Sequence, residues 1–271
     1  MKYLLLPVLI IAVSFLFFSC KPDSEKSGSS LSVPESELKF EEKTLLKTYR
    51  NCEPQDENCT YIQIKYSLLN QGQHKDMINS AITDYIIAAG DPGEKSKERL
   101  TIEQITDKFI NEYDTFLKDN KDYNLGWMTE IQGNPEFSNT KIICYSISNV
   151  YFLGGAHPNS SLTYLNFERE NGRLVFIPDL FSPGFEEKLN KAVDAEFRKS
   201  KNLNPGDDLT DKVGLFNNKI TYNNNFAVLR EGIRFYYNPY EIAPYAAGPF
   251  EVTVPYETIQ DIISDKSPIK F

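Results

Sequence analysis

The first twenty residues constrain this chain more than any others, because they decide the compartment in which the remainder must fold. Met1-Lys2 supplies one positive charge, and from Tyr3 to Phe18 every residue is apolar apart from Pro7, Ser14 and the hydroxyl of Tyr3. Ser19-Cys20 follows, and the chain turns polar at Lys21-Pro22-Asp23. A charged start, an apolar run and a small residue at the cut make a secretory signal. Read instead as an uncleaved anchor, the run of about 17 residues sits at the short limit for spanning a bilayer. An anchor also gives no reason for a Cys at that boundary. The expectation is a signal peptide over residues 1–19 and a body that folds outside the cytosol.

Cys20 directly after a small residue resembles a bacterial lipoprotein signal, with Phe17 and Phe18 where the usual Leu and small residue stand. Bacteroidetes-type lipoproteins tolerate such departures. Cys20 is then the site of lipid attachment, and the membrane is a partner through it. Each buried methylene contributes about 0.8 kcal/mol, so two or three acyl chains hold essentially permanently. Lys21, rather than Asp, resembles outer-membrane retention, and Asp23 and Glu25 weakly resemble a surface-export signal. The expected location is the cell envelope, as an outer-membrane lipoprotein facing either the periplasm or the exterior. Residues 20–37 carry six Ser, two Pro and one Gly, too little apolar surface to order themselves, and read as a flexible tether.

Acidic residues outnumber basic ones, 38 to 29, for a net charge of -9. That balance argues against nucleic acid as a partner. No cofactor is expected, since no Gly-rich phosphate loop, calcium loop or zinc spacing occurs. Cys52 and Cys59 bracket the polar segment Glu53-Pro54-Gln55-Asp56-Glu57-Asn58. A metal would need more ligands nearby, so a disulfide is the better reading in an oxidising compartment. Closing so small a loop contributes about 2.5 kcal/mol in the chain-entropy model. Cys144, inside the alternating Lys141–Ile147 run, reads as a buried, inert thiol.

Hydropathy patterning predicts strands over Leu38–Arg50 and Tyr61–Leu69, then a helix over His74–Ala88 with Met77, Ile78, Ala81, Ile82, Tyr85 and Ile86 on one face. A second helix over Thr101–Lys118 carries a capping box, Thr101 with Gln104. Strands are predicted at 126–132, 141–152, 161–167 and 173–177, the last two joined by the turn signal Glu170-Asn171-Gly172. Ser182-Pro183 should open a third helix through Phe197, with Pro in its first turn. Strands at 226–229, 232–237 and 250–254 precede a short last helix after Pro255. This order indicates an α+β fold of antiparallel sheets with inserted helices, in two sub-domains, 38–140 and 141–271.

Two segments go beyond generic patterning: Tyr151-Phe152-Leu153-Gly154-Gly155-Ala156-His157-Pro158-Asn159 and Phe235-Tyr236-Tyr237-Asn238-Pro239-Tyr240-Glu241-Ile242-Ala243-Pro244-Tyr245-Ala246-Ala247-Gly248-Pro249. With Pro178-Asp179-Leu180-Phe181 they resemble the extracytoplasmic domains of the RsiV and PdaC proteins, a family of largely unknown function. The motifs cover about residues 150–257, and the half ahead of them resembles the smaller domain that usually precedes it. The resemblance implies three settings: an anti-sigma factor whose outer domain binds lysozyme, an accessory to a peptidoglycan deacetylase, or a stand-alone secreted protein. Only Met1-Lys2 precedes the apolar run, which leaves no cytoplasmic segment for the first role. A metal-dependent deacetylase needs clustered His and Asp ligands, whereas this sequence has only His74 and His157.

The candidate ligand-binding residues are therefore Gly154, Gly155, His157 and Asn159 in the first motif, and Tyr236, Tyr237, Tyr240 and Tyr245 in the second. Two glycines permit positive φ, and His157 either faces a ligand from that turn or hydrogen-bonds the loop it sits in. The prolines stiffen the aromatic loop, so little entropy is lost on binding. Its rings suit protein hot spots and sugar stacking, or else they pack the loop onto the sheet. The expectation is a non-catalytic binding or sensing module for a protein or a cell-wall glycan, with lysozyme the partner that the resemblance implies. An envelope hydrolase using His157 and a purely architectural protein are the rival readings.

Overall fold

The computed structural model describes residues 38–91 and 100–269, all within one compact unit, Ser36–Phe271. The expected signal peptide, Cys20 and the tether lie outside the described residues. No described helix is long and apolar enough to cross a membrane.

The fold is α+β. Strand β1 (Phe40–Thr48) pairs antiparallel with β2 (Tyr61–Leu69), so that Phe40 faces Leu69 at one end and Thr48 faces Tyr61 at the other. Helices α1 (Lys75–Gly90) and α2 (Ile102–Asp119) follow, and β3 (Met128–Ser138) returns parallel to β2. A parallel neighbour needs such a long crossover, and this pair departs from the otherwise antiparallel pairing. β4 (Ile142–Phe152) and β5 (Asn159–Glu168) complete a five-stranded sheet in the order β1-β2-β3-β4-β5.

Local sequence accounts for these elements. In β2, Ile62, Ile64 and Tyr66 are buried and alternate with more exposed neighbours, the period of a half-buried strand. In α2 the capping box forms: the Gln104 amide donates to Thr101 Oγ1 at 3.2 Å and the Thr101 amide to Gln104 Oε1 at 2.8 Å. In α1 the predicted stripe divides. Ile78, Ile82 and Ile86 enter the core, whereas Met77 and Tyr85 stay exposed. β4 is apolar on both faces because both are covered. Ile143, Tyr145 and Ile147 face α1 and α2, and Ile142 joins the core of the C-terminal half. Tyr145 crosses beneath Gly133 and uses its hydroxyl twice, donating to Ser67 O at 2.9 Å and accepting from the Ser67 amide at 3.1 Å. A Cβ on Gly133 would stand 2.6 Å from that hydroxyl, so only glycine admits the ring.

The C-terminal half contains α3 (Ile177–Leu180), α4 (Glu186–Ser200), α5 (Leu209–Val213), a three-stranded antiparallel sheet of β6 (Phe226–Val228), β7 (Gly232–Tyr237) and β8 (Phe250–Pro255), and α6 (Tyr256–Ile259). Leu189, Val193 and Phe197 of α4 pack on Ile233, Phe235, Val252 and Val254. Each such side chain, fully buried, contributes about 1.5–3 kcal/mol.

β5 and β6 meet through side chains instead of a main-chain ladder. Asn166 donates to Phe226 O at 2.7 Å and accepts from the Val228 amide at 2.8 Å. Asn225 accepts from the Tyr164 amide at 2.9 Å and donates to Leu162 O at 2.7 Å. Asn238 accepts from the Leu162 amide at 2.7 Å. Three amides thus satisfy an edge that would otherwise be open for pairing with another chain.

Two expectations, a strand and a helix start, need correction. Residues 173–177 form no strand. Leu174 makes one bridge to Phe167, after which Asp179 Oδ2 takes the Phe176 amide at 2.8 Å and starts α3. The helix expected from Ser182-Pro183 begins at Glu186, because the Ser182 amide is held by Ile262 O and Gly184 turns the chain at φ 84°. Residue 140, taken as a sub-domain boundary, lies in the turn between β3 and β4, which pair with each other inside one sheet. The two large cores are served by the opposite faces of β4.

Candidate functional site

The strand directions place two loops at the same end of the five-stranded sheet. The β1–β2 connection contains the Cys52–Cys59 disulfide, with the Cα atoms 5.6 Å apart. Its chain is turned by Arg50 and Asn51, both at positive φ, and secured by the Tyr49 amide on Thr60 O at 2.8 Å. The β4–β5 connection holds the first motif, with Gly154 at φ 88° and Gly155 at φ 118°, a left-handed region that favours glycine. A Cβ on Gly154 would also meet Tyr123 Oη at 2.6 Å. Together the loops line a groove of about 370 Å³ that includes Pro54, Asp56, Glu57, Phe152, His157 and Pro158. The carboxylates of Asp56 and Glu57 give it an acidic wall, on residues that are both exposed.

The second motif folds onto the first. The His157 ring stacks on Tyr245, with centroids 3.9 Å apart and planes 16° from parallel. Tyr245 donates its hydroxyl to Pro158 O at 2.8 Å, and His157 Nδ1 lies 2.9 Å from the same oxygen. Tyr240 continues the array 5.5 Å from Tyr245, 56% exposed and at φ 68°. That φ is strained for a tyrosine. Glu241 supports the turn, accepting from the Asn238 amide at 2.9 Å and from Asn223 Nδ2 at 2.7 Å. His157, Tyr240 and Tyr245, the outermost of them 88 residues apart in the sequence, therefore form one ring surface.

The remaining candidates separate from it. Tyr237 is buried at 1% exposure and donates to Thr221 O at 2.6 Å; burial, then Glu241, pushes its phenol up. Tyr236 is half-buried and meets Tyr164 edge-on, with its phenol raised mainly by burial. Both are packing residues. Gly154 and Gly155 shape the turn, and Asn159 opens β5 opposite Tyr151. Sequence reasoning did not place Asp56 and Glu57 beside His157, since no local signal connects loops about 100 residues apart.

Chemically, the array offers ring faces and an acidic wall. The contact made by the His157 ring is to a main-chain carbonyl, without a nucleophile or carboxylate in the hydrogen bond. Among the described residues no group of three metal-ligating side chains occurs. Cys144 is fully buried, and burial, followed by Glu136, pushes its thiol well above the ordinary range, the opposite of an activated nucleophile.

Residues 178–257 match the family model described as a protein of unknown function, DUF3298. A DUF3298 family member from Bacteroides fragilis has a crystal structure similar to this chain, with a TM-score of 0.65, 22% identity, and coverage of 85% of this chain and 95% of that one. A DUF3298 family protein from Pseudomonas aeruginosa is similar at a TM-score of 0.64 and 16% identity, covering 86% and 97%. At these identities the likeness is one of fold. No curated protein matches the chain.

Proposed function

We propose that this chain is a lipid-anchored binding or sensing module of the cell envelope, which recognises a protein or cell-wall glycan and does not transform it. The observation that supports it is the stacked His157–Tyr245–Tyr240 array beside the acidic groove. Rings held by prolines and main-chain bonds lose little freedom on binding, and exposed tyrosines are favoured contact residues. The position of the array fits this role. Leu38, where the described chain begins, leads into the Phe40 end of β1, whereas the array lies at the Thr48 end. Nine residues of strand at about 3.3 Å each separate the two ends by about 30 Å. The array therefore lies at the end of the sheet opposite the point at which the described chain begins.

Lysozyme is the partner to test first, because the resemblance to the lysozyme-binding anti-sigma factor family implies it and because the groove wall is acidic. Titration of the purified protein with lysozyme should give saturable binding that weakens as salt rises, with His157→Ala and Tyr240→Ala each weakening it about tenfold. No binding at low salt sinks the lysozyme version. Mass spectrometry of the cellular protein tests the anchor; an uncleaved, unacylated N-terminus removes it.

A further inference from the structure

A second cleft, of about 170 Å³, lies between α1 and the β5–β6 seam, away from the groove of the disulfide loop. Its walls include Tyr85, Thr163, Phe176 and Asn224. Two properties set it apart. First, every lining side chain is aromatic, aliphatic, hydroxyl or amide, in a chain of which 25% of the residues are charged. Second, two of its rings are presented to solvent: Phe176 is 56% exposed and Tyr85 39%.

The frame around those rings is fixed. The Phe176 amide is held by Asp179 Oδ2 at 2.8 Å, and Asp179 is held in turn by Arg173 at 3.0 Å. The Val175 amide donates to Asn166 O at 2.8 Å. The amides of Asn166, Asn225 and Asn238 are engaged with backbone, which leaves the exposed Asn224 and the half-buried Thr163 as polar groups at the opening.

We propose that this cleft is a binding site for one uncharged sugar ring of a glycan chain. Aromatic faces take the C–H face of a pyranose, and an amide and a hydroxyl exchange hydrogen bonds with its hydroxyl groups. A wall without charge offers an ionic ligand no partner and leaves it the loss of solvation. The volume is below the range typical of pockets for drug-sized ligands, so the site holds a single ring while the rest of the chain runs over the surface. This site stands independently of the His157 array.

The test uses the full chain purified in detergent. Chitotriose and maltotriose serve as neutral probes and trigalacturonate as the charged one, followed by saturation-transfer NMR and titration. At least one neutral probe should bind saturably at millimolar concentration, with trigalacturonate at least tenfold weaker. Phe176→Ala and Tyr85→Ala should each weaken binding about tenfold at an unchanged melting temperature. Asn224→Ala, at an exposed position, gives a further variant whose folding is not in question, and it should weaken binding severalfold. The proposal is overturned if neither neutral probe binds, if trigalacturonate binds equally well, or if the ring variants bind like the parent protein.

Discussion

The seam between β5 and β6 and the array at the sheet end draw on similar polar and aromatic residues for opposite purposes. At the seam, Asn166 is 2% exposed, and both ends of its amide are committed to the main chain of β6. At the array, Tyr240 is 56% exposed, and the contacts of its ring are to a neighbouring ring. A buried amide that satisfies two backbone groups cannot be released without leaving both unpaired. A stacked surface ring can be covered without leaving any main-chain group unpaired. The difference teaches that the seam stores stability, whereas the array leaves ring surface uncommitted.

The largest expected effect comes from the seam. Asn166→Ala should destabilise the protein by about 3 kcal/mol, because Phe226 O and the Val228 amide lose their partner inside the core. Asn238→Ala, at a half-buried position where water can substitute, should lose about 1 kcal/mol or less. Urea unfolding measures both, and equal losses would break the distinction between buried and open parts of the seam.

Next is the disulfide. Cys52→Ser with Cys59→Ser should lower stability by about 2.5 kcal/mol and weaken partner binding more than it disturbs the seam. Hydrogen exchange can compare the Tyr61 and Val228 amides. If both lose protection alike through local opening, the sheet end and the seam are not separable.

The alkaline limb gives a smaller and more specific effect. Burial, and then the hydrogen bond that Tyr61 donates to Glu130 at 2.7 Å, hold the Tyr61 phenol at about 12, above its ordinary value of 10.0. Below pH 10 both folded and unfolded chains keep that proton, and its contribution to stability is fully present. Between about 10 and 12 the unfolded chain releases the proton and the folded one retains it, so stability falls as pH rises. Tyr61→Phe should flatten that slope, which an unchanged pH profile would contradict.

The smallest effect on stability belongs to the array. His157→Ala should change it by about 0.5 kcal/mol or less, as for surface positions generally, while weakening the partner interaction. A melting temperature that collapses in this variant would assign His157 to architecture.

Strands such as β2 and β7 and the α2 cap were legible because their signals are local: alternation in Ile62, Ile64 and Tyr66, and Thr101 paired with Gln104 three residues on. What was not legible rests on partners distant along the chain. Ser182 is held by Ile262, and β3 pairs with β4 across the expected boundary. Within the aromatic motif, alternation along β7 turns Tyr237 into the core, while the turn at Asn238–Glu241 brings Tyr240 to the surface. Composition alone made those tyrosines equivalent.

By itself, the amino-acid order determined most element types, the capping of α2 and the bridging of Cys52 to Cys59, because each depends on residues a few positions apart. Only the tertiary structure decided that His157 would lie on Tyr245, that Asp56 and Glu57 would wall the same groove, and that asparagines would join the sheets. Those contacts depend on strand direction and register, which hydropathy does not encode and which the packing of whole faces selects.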